Sequence, residues 1–556
     1  MQRITVFLMF CGVFFLSCAP TPEYDIVILN GTVIDGSGQP GYPADIGIKG
    51  EQIAFIGDLE VGDGVRAMDA TGLVVSPGFI DMMGQSEYRL LLDGRAQSKA
   101  HQGITTEVTG EGGSIAPLAG PALASFRERT APDSLDVVWT TLEGYFEALN
   151  QKGISINIAT FVGATQVRAC VIGYDDRPPT EDELARMRQL VTEAMEDGAW
   201  GLSSSLVYPP AFYASTEELI ALAQIASSNG GIYATHMRSE SNNLFEALEE
   251  AIRIGREAEI PVEIFHLKAA GKTNWDKVDE VLKRIEDVRS EGLDIMADVY
   301  PYTAGSTGLA STMPPWVQDG GREAFYKRLQ DPAIRRRLQR EMTTLDGDWE
   351  NFYIGSDRIM ITDMPLKDYG HYEGKYLRDL ARERNEDPME TIFNLHVLTE
   401  GFRIDAVYFM MAEENKRKIM QKPWVSFCCD SGARATEGRL NDGSPHPRAY
   451  GTFPRILGKY VREEKLLTVE EAIRKMTALP ASRMGFKDRG RIETGLAADI
   501  VCFNLDTVID KATYEDPHQY PEGIDYVLVN GTVVIDQGQH TGARSGKPLL
   551  GPARIP

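Results

Sequence analysis

The sequence predicts an α/β fold: a closed (β/α)8 TIM barrel carrying a small β-sandwich built from both chain ends. Three observations predict it. Apolar runs of strand length, eight in all, alternate with helical stretches between residues 73 and 429. Near-copies of one strand pattern stand at the two ends, VILNGTVIDG around residue 30 and VLVNGTVVIDQG around residue 530. Polar side chains gather at the carboxyl ends of the internal runs, the end at which such barrels do their chemistry.

The composition supports a large, ordinary core. The 556 residues are 43% hydrophobic and 25% charged, too long for a typical single domain but not for a barrel with additions. Lysine and arginine number 57 against 81 aspartates and glutamates, a net charge of −24. With no basic stripe to offset it, that balance excludes a nucleic-acid binder. At the start, Arg3 precedes an apolar run over 6–16 that is too short to span a bilayer permanently but suits a signal peptide. Its ending, Leu16-Ser17-Cys18-Ala19, resembles a bacterial lipoprotein signal, with Cys18 lipidated as the mature N-terminus. The expectation is an exported protein of the cell envelope, facing the periplasm or the cell surface and touching the membrane only through its lipid. A plain secretory cleavage near Ser17 or Ala19 is the alternative. Cys170, Cys428, Cys429 and Cys502 have no CxxC spacing and form no disulfide framework; Cys428 and Cys429 read as buried strand thiols.

Taken in order, residues 24–70 and 488–545 form the sandwich, and Asn30-Gly31 and Asn530-Gly531 are hairpin signals between alternating apolar positions. Residues 71–487 form the barrel, with strands over 73–80, 105–109, 156–162, 200–204, 231–235, 262–265, 293–299 and 424–429. The clearest helix covers 180–197, opened by the capping box Thr180…Glu183 and closed at Gly198. Residues 315–420 exceed what one βα unit needs and read as an insertion near the barrel mouth, with an extra strand over 358–361.

The strand ends carry the chemistry. The fifth and sixth runs close on His236 and His266, with an amphipathic stretch over 241–258 between them. That strand–helix–strand unit delivers two imidazoles to one end of a parallel sheet, as a borderline-soft divalent ion requires. Glu111, after the second strand, adds a carboxylate and leaves room for water; the same residue could simply cap its glycine-rich turn. Asp430, ending the last strand in Asp-Ser-Gly, reads as a group that takes a proton from water and passes it to a leaving amine, or as turn chemistry. Lys268 and Arg238 lie within two residues of the histidines. Gln85 and Glu87 read as pocket lining, and so do His446 and Arg448. His101, His371, His396, His518 and His540 lack strand-end context and read as structural or surface residues.

These segments, taken together, resemble a family. PGFID, GITTEVTGEGG, GLSSSLVYPP, ATHMRSE, HLKAAG, DVYPYTAGST, CCDSG and GRIETGLAADIV follow one another in the order of the amidohydrolase superfamily. Within it the chain is most similar to the N-acyl-D-amino-acid deacylases, from residue 24 to about 550. The resemblance implies a metal-dependent barrel that hydrolyses an N-acyl-D-amino acid to a carboxylic acid and a free D-amino acid. It implies His236 and His266 as ligands of the tightly bound metal and Asp430 as general acid and base. Lys268, Tyr300 and Ser306, with Arg238 nearby, would meet the substrate carboxylate, and Tyr208 would polarise the scissile carbonyl. Two positions depart from the pattern. The superfamily's His-X-His after the first strand reads Met83-Gly84-Gln85, and the deacylases' metal-binding cysteine reads Gly112, with Glu111 one residue away. The expectation is therefore a single divalent ion, zinc before others, held by His236, His266 and Glu111. A cyclic amidase, an isoaspartyl-type dipeptidase, or a barrel that only binds envelope ligands are the rival readings.

Overall fold

The computed structural model describes residues 22–344 and 352–554; the expected signal segment, 1–18, lies outside them. Eight parallel strands form the barrel: β1 (Phe79–Asp81), β2 (Ile104–Thr109), β3 (Asn157–Thr160), β4 (Gly201–Ser205), β5 (Ile232–His236), β6 (Val262–Ile264), β7 (Ile295–Val299) and β8 (Val425–Phe427). Parallel ladders join β1 to β2 and β2 to β3, then run unbroken from β4 to β8. The Trp200 amide donates to the Thr160 carbonyl at 2.9 Å to link β3 with β4, and Met82 donates to Phe427 at 3.3 Å to close β8 on β1. These strands are buried along their whole length, as expected of a parallel sheet wrapped by helices.

The crossover helices follow the sequence signals. Glu181–Asp197 begins at a complete Thr180/Glu183 capping box and ends at Gly198, whose φ of 115° only glycine adopts readily. Leu244–Glu257, between the two histidine strands, buries Leu244, Leu248, Ala251 and Ile252 on one face. Both bracket the site without entering it.

The sandwich is built from both ends. A four-stranded sheet of residues 24–69 packs on a seven-stranded one that mixes Thr32–Val33, Tyr42–Pro43 and Val74–Pro77 with Ile500–Phe503, Ile524–Val529, Thr532–Asp536 and Gln539–His540. Ile26, Ile28, Ile46, Ile48, Val75, Ile500, Cys502 and Leu528 fill the space between. Two sequence expectations are corrected here. The run over 73–80 is not one barrel strand: Val74–Pro77 pairs antiparallel with Ile500–Phe503 in the sandwich, and only Phe79–Asp81 enters the barrel. The changeover is at Gly78, where a Cβ would stand 2.1 Å from Thr105 Oγ1. Second, Asn530-Gly531 turns a true hairpin, with φ of 47° and 76°, but Asn30-Gly31 does not. Asp45 accepts from the Asn30 amide at 2.8 Å, and Thr32–Val33 leaves for the other sheet to pair with Val74 and Val75.

The insertion supplies a three-stranded antiparallel sheet over the barrel mouth, ordered Ala304–Gly308, Asp405–Phe409, Ile359–Asp363. Its first strand starts before residue 315 and carries Ser306 and Thr307, so the mouth's roof and the end of β7 are continuous chain.

Candidate metal centre

A cavity of about 600 Å³ opens at the carboxyl ends of the strands, lined among others by Gln85, Glu111, Tyr208, His236, His266 and Asp430. His236 ends β5. His266 sits two residues past β6, in the left-handed region at φ 38°, with its amide donating to Asp298 Oδ1 at 2.6 Å. Asp430, three residues past β8, is also left-handed at φ 48°. Such backbone costs roughly 1 kcal/mol or more in a non-glycine residue and collects at functional sites.

Glu111 reaches the two imidazoles from the turn after β2. Its Oε1 lies 3.1 Å from His236 Nδ1 and 3.9 Å from His266 Nε2. The ring centroids of the two histidines are 4.4 Å apart at 83°. Three ligand atoms of Glu111, His236 and His266 fall within 4.8 Å of one another, the only such trio of histidine, cysteine or carboxylate groups among the described residues. Two nitrogens and one oxygen at this spacing fit a divalent ion bonded at about 2.0–2.2 Å, with a position left for water. Burial works against the Glu111 carboxylate's charge, yet the two histidines hold its pKa well below the usual range. Burial and Lys268 push the His266 pKa down, but Glu240, Asp430 and Glu111 outweigh them and raise it to about 9. The site thus attracts positive charge before any ion arrives.

The places of the two missing ligands are filled. A Cβ on Gly112, at φ 56°, would stand 2.3 Å from Ser205 Oγ, so the backbone as folded has no room for a thiolate there. Met83 is buried, and the Gln85 amide donates to Glu111 Oε2 at 3.0 Å and to Asp430 Oδ1 at 3.1 Å. Arg448 Nη1 is 2.7 Å from the other Asp430 oxygen. Burial raises the Asp430 pKa above the ordinary carboxylate value, with Arg448 and His266 acting against it.

The sequence-derived set is brought together with one exception. Tyr208 lines the cavity, takes a hydrogen bond from Thr307 Oγ1 at 2.8 Å and sets its ring 5.2 Å from that of His236. Tyr300 and Ser306 line it too, and the buried Tyr300 hydroxyl has no hydrogen-bond partner among the described residues. Lys268 lines it while its ammonium rests on Glu240 Oε1 at 2.5 Å. Arg238 is the correction: it is absent from the cavity wall, because Glu250 takes its guanidinium at 2.8 and 2.9 Å and the Phe212 and Ala214 carbonyls take two more donors. The strand ends at His236, so the two-residue alternation that would have put Arg238 on the same face no longer holds where Arg238 stands.

Sequence reasoning missed Glu240 and underused Gln85 and Arg448. Glu240 follows His236 by four residues and touches both imidazoles, with Oε2 3.5 Å from His236 Nε2 and Oε1 3.0 Å from His266 Nδ1. A carboxylate four residues after a strand-end histidine was the available signal.

Comparison with known proteins now decides the family. The chain is 35% identical to D-aminoacylase of Alcaligenes xylosoxydans xylosoxydans over 96% of its own length and 99% of that protein's. It belongs to the D-aminoacylase family of amidohydrolases. The amidohydrolase family model matches residues 438–535. A solved D-aminoacylase, described for the functional role of its binuclear metal centre with one-metal activation and second-metal attenuation, superposes with a TM-score of 0.78 at 36% identity, covering 95% of this chain and all of that one. N-acyl-D-glutamate deacylase from Bordetella bronchiseptica, solved with zinc and a phosphonate mimic of the tetrahedral intermediate, superposes at 0.79 with 32% identity and the same coverage.

Proposed function

We propose that this chain hydrolyses the amide bond of N-acyl-D-amino acids with a single bound divalent ion, zinc before others. The observation that carries the reading is the convergence of Glu111, His236 and His266 beside Asp430 in one cavity. An ion held by those three residues would act as a Lewis acid toward the amide carbonyl and make water acidic enough to attack near neutral pH. The chain's own residues supply the rest. Asp430 takes a proton from the attacking water and delivers it to the leaving nitrogen. Arg448 acts against the burial that raises the Asp430 pKa and so favours the ionised form that begins as a base. Tyr208, fixed by Thr307, donates to the scissile carbonyl oxygen. Lys268, Tyr300 and Ser306 take the substrate carboxylate, and the unpartnered Tyr300 hydroxyl is a donor waiting for an acceptor.

The one-ion reading rests on Gln85, whose neutral amide already bridges the two carboxylates that a second cation would share. In zinc-replete protein, N-acetyl-D-amino acids should be cleaved at least tenfold faster than their L enantiomers, cyclic imides or dipeptides. Turnover of a cyclic imide or a β-linked dipeptide instead would move the chain to the rival amidohydrolase readings; tight binding with no turnover of any of them would make it a binder. Excess zinc should not attenuate the wild type, whereas Gln85→Glu, which sets three carboxylates together, should take up a second ion and become zinc-sensitive.

We also propose export and lipid attachment at Cys18, supported by the run over 6–16 and its Leu-Ser-Cys-Ala ending. Labelling of the wild type but not of Cys18→Ser by radioactive fatty acid checks it.

A further inference from the structure

We propose that Lys416 is a positioning residue for the substrate carboxylate: buried behind the Tyr300 ring, it carries a positive charge that no carboxylate of this chain matches, and the bound substrate supplies the counter-charge. The inference rests on the reading above that Lys268, Tyr300 and Ser306 take that carboxylate. Lys416 lies on the helix Glu413–Met420 and is 1% exposed. It does not line the cavity, whereas Tyr300 does.

Three cations surround the Tyr300 ring. The Lys416 ammonium stands 4.3 Å from its centroid, the Arg448 guanidinium carbon 4.6 Å and the Lys268 ammonium 5.9 Å. Two of them are answered by carboxylates: Arg448 by Asp430 at 2.7 Å, and Lys268 by Glu240. Among the described residues, the Lys416 ammonium has no hydrogen-bond partner, carboxylate or otherwise. The hydroxyl on that same Tyr300 ring also lacks one. Around one aromatic ring the pocket thus sets three cations against two carboxylates.

A buried ammonium without an acceptor is destabilising, and a methionine of similar length would fill the space with no charge to desolvate. The charge makes sense as something felt across the ring. A cation over an aromatic face is held by the negative quadrupole there and draws electron density from the ring. The phenol hydroxyl so polarised is a stronger donor to an arriving carboxylate. Facing Lys416 from the surrounding strand ends are Glu240 after β5, Lys268 after β6, Tyr300 after β7, Cys428 just past β8, and His446 and Arg448 beyond it. Burial, with Lys268 and Arg448, pushes the Lys416 pKa down to about 7 despite Glu240. A carboxylate arriving at Tyr300 favours the charged amine and raises that pKa again, so above pH 7 substrate and proton enter together.

The test compares the best-cleaved N-acetyl-D-amino acid with its carboxamide, which lacks the negative charge, by acetate release from zinc-loaded, full-length wild type and Lys416→Met. The ratio of kcat/KM for the acid to that for the amide should fall about tenfold in Lys416→Met, through a higher KM for the acid. A side chain that merely fills space would change both substrates alike, so a ratio equal to the wild type's overturns the proposal. The pH profile is the second readout. In the wild type, KM for the acid but not for the amide should rise as the pH climbs above about 7 and Lys416 loses its proton; Lys416→Met should abolish that rise. Should Lys416→Met fail to fold, the wild-type profile decides: an acid KM that tracks the amide's on both sides of pH 7 overturns the proposal. Cleavage of neither substrate by the wild type would overturn the deacylase reading itself, and this inference with it.

Discussion

Two buried charge clusters lie side by side under the barrel mouth, and they differ in one respect. Below β1 and β2, Lys99 Nζ meets Asp81 at 2.7 Å, Glu107 at 3.0 Å and the Ser431 carbonyl at 2.7 Å, with all three side chains fully buried. Burial opposes the ammonium, but Asp81 and Glu107 outweigh it and raise its pKa. At the ends of β5 and β6, Glu111 and Glu240 flank His236 and His266, and Lys268 contacts only the Glu240 side. The first cluster contains its own cation facing both carboxylates. In the second, the Glu111 carboxylate faces only the two imidazoles and the neutral Gln85 amide, with no lysine or arginine on that side. Buried charge of the first kind holds strands together; of the second kind, it waits for an ion.

The largest test of that contrast removes a ligand. His236→Ala or His266→Ala should empty the site and lower kcat/KM by about three orders of magnitude, ~4 kcal/mol, with the circular dichroism spectrum retained. Lys99→Met should do the opposite kind of damage. It strands two buried carboxylates at a cost of about 3–5 kcal/mol, read as a lower melting temperature, while zinc content of the folded fraction stays at the wild-type level. Arg448→Met probes the link between the regions. Arg448 lowers a pKa that burial raises, so its loss raises the pKa of Asp430 further. Because the ionised form is the base, the acid limb of the kcat profile should move to higher pH, with zinc affinity unchanged. The smallest effect belongs to Thr307→Val, which removes one hydroxyl from Tyr208 and should cost ~1 kcal/mol, about fivefold in kcat/KM.

Much of this was legible in the sequence because it rests on periodicity and on strand ends. Seven of the eight barrel strands, the capped helix at Glu181–Asp197 and the pairing of His236 with His266 follow from apolar spacing and position; the first strand starts later than its apolar run, which belongs mostly to the sandwich. What was not legible depends on backbone direction. Asn30-Gly31 and Asn530-Gly531 are the same dipeptide, yet one crosses between sheets and one turns back, because Asp45 and Val75, distant in sequence, surround only the first. Arg238 and Glu240 both follow His236, and proximity favoured the arginine; the turn sends it to Glu250 and sends the glutamate between the rings. The Ala304–Gly308 strand was missed because Ala-Gly-Ser-Thr-Gly has no apolar alternation, its partner being another insertion strand and not a core. The Glu111 placement was readable only as a departure from a pattern; that Ser205 Oγ fills the space beside Gly112 depends on a strand distant in sequence.

The central claim is that Glu111 completes a metal site with the two histidines. Metal content per chain after exhaustive dialysis against metal-free buffer, compared between wild type and Glu111→Ala, tests it most directly. A single ion retained by the wild type and lost from the variant is the predicted result. An ion retained equally by Glu111→Ala, or none in the wild type, would contradict it.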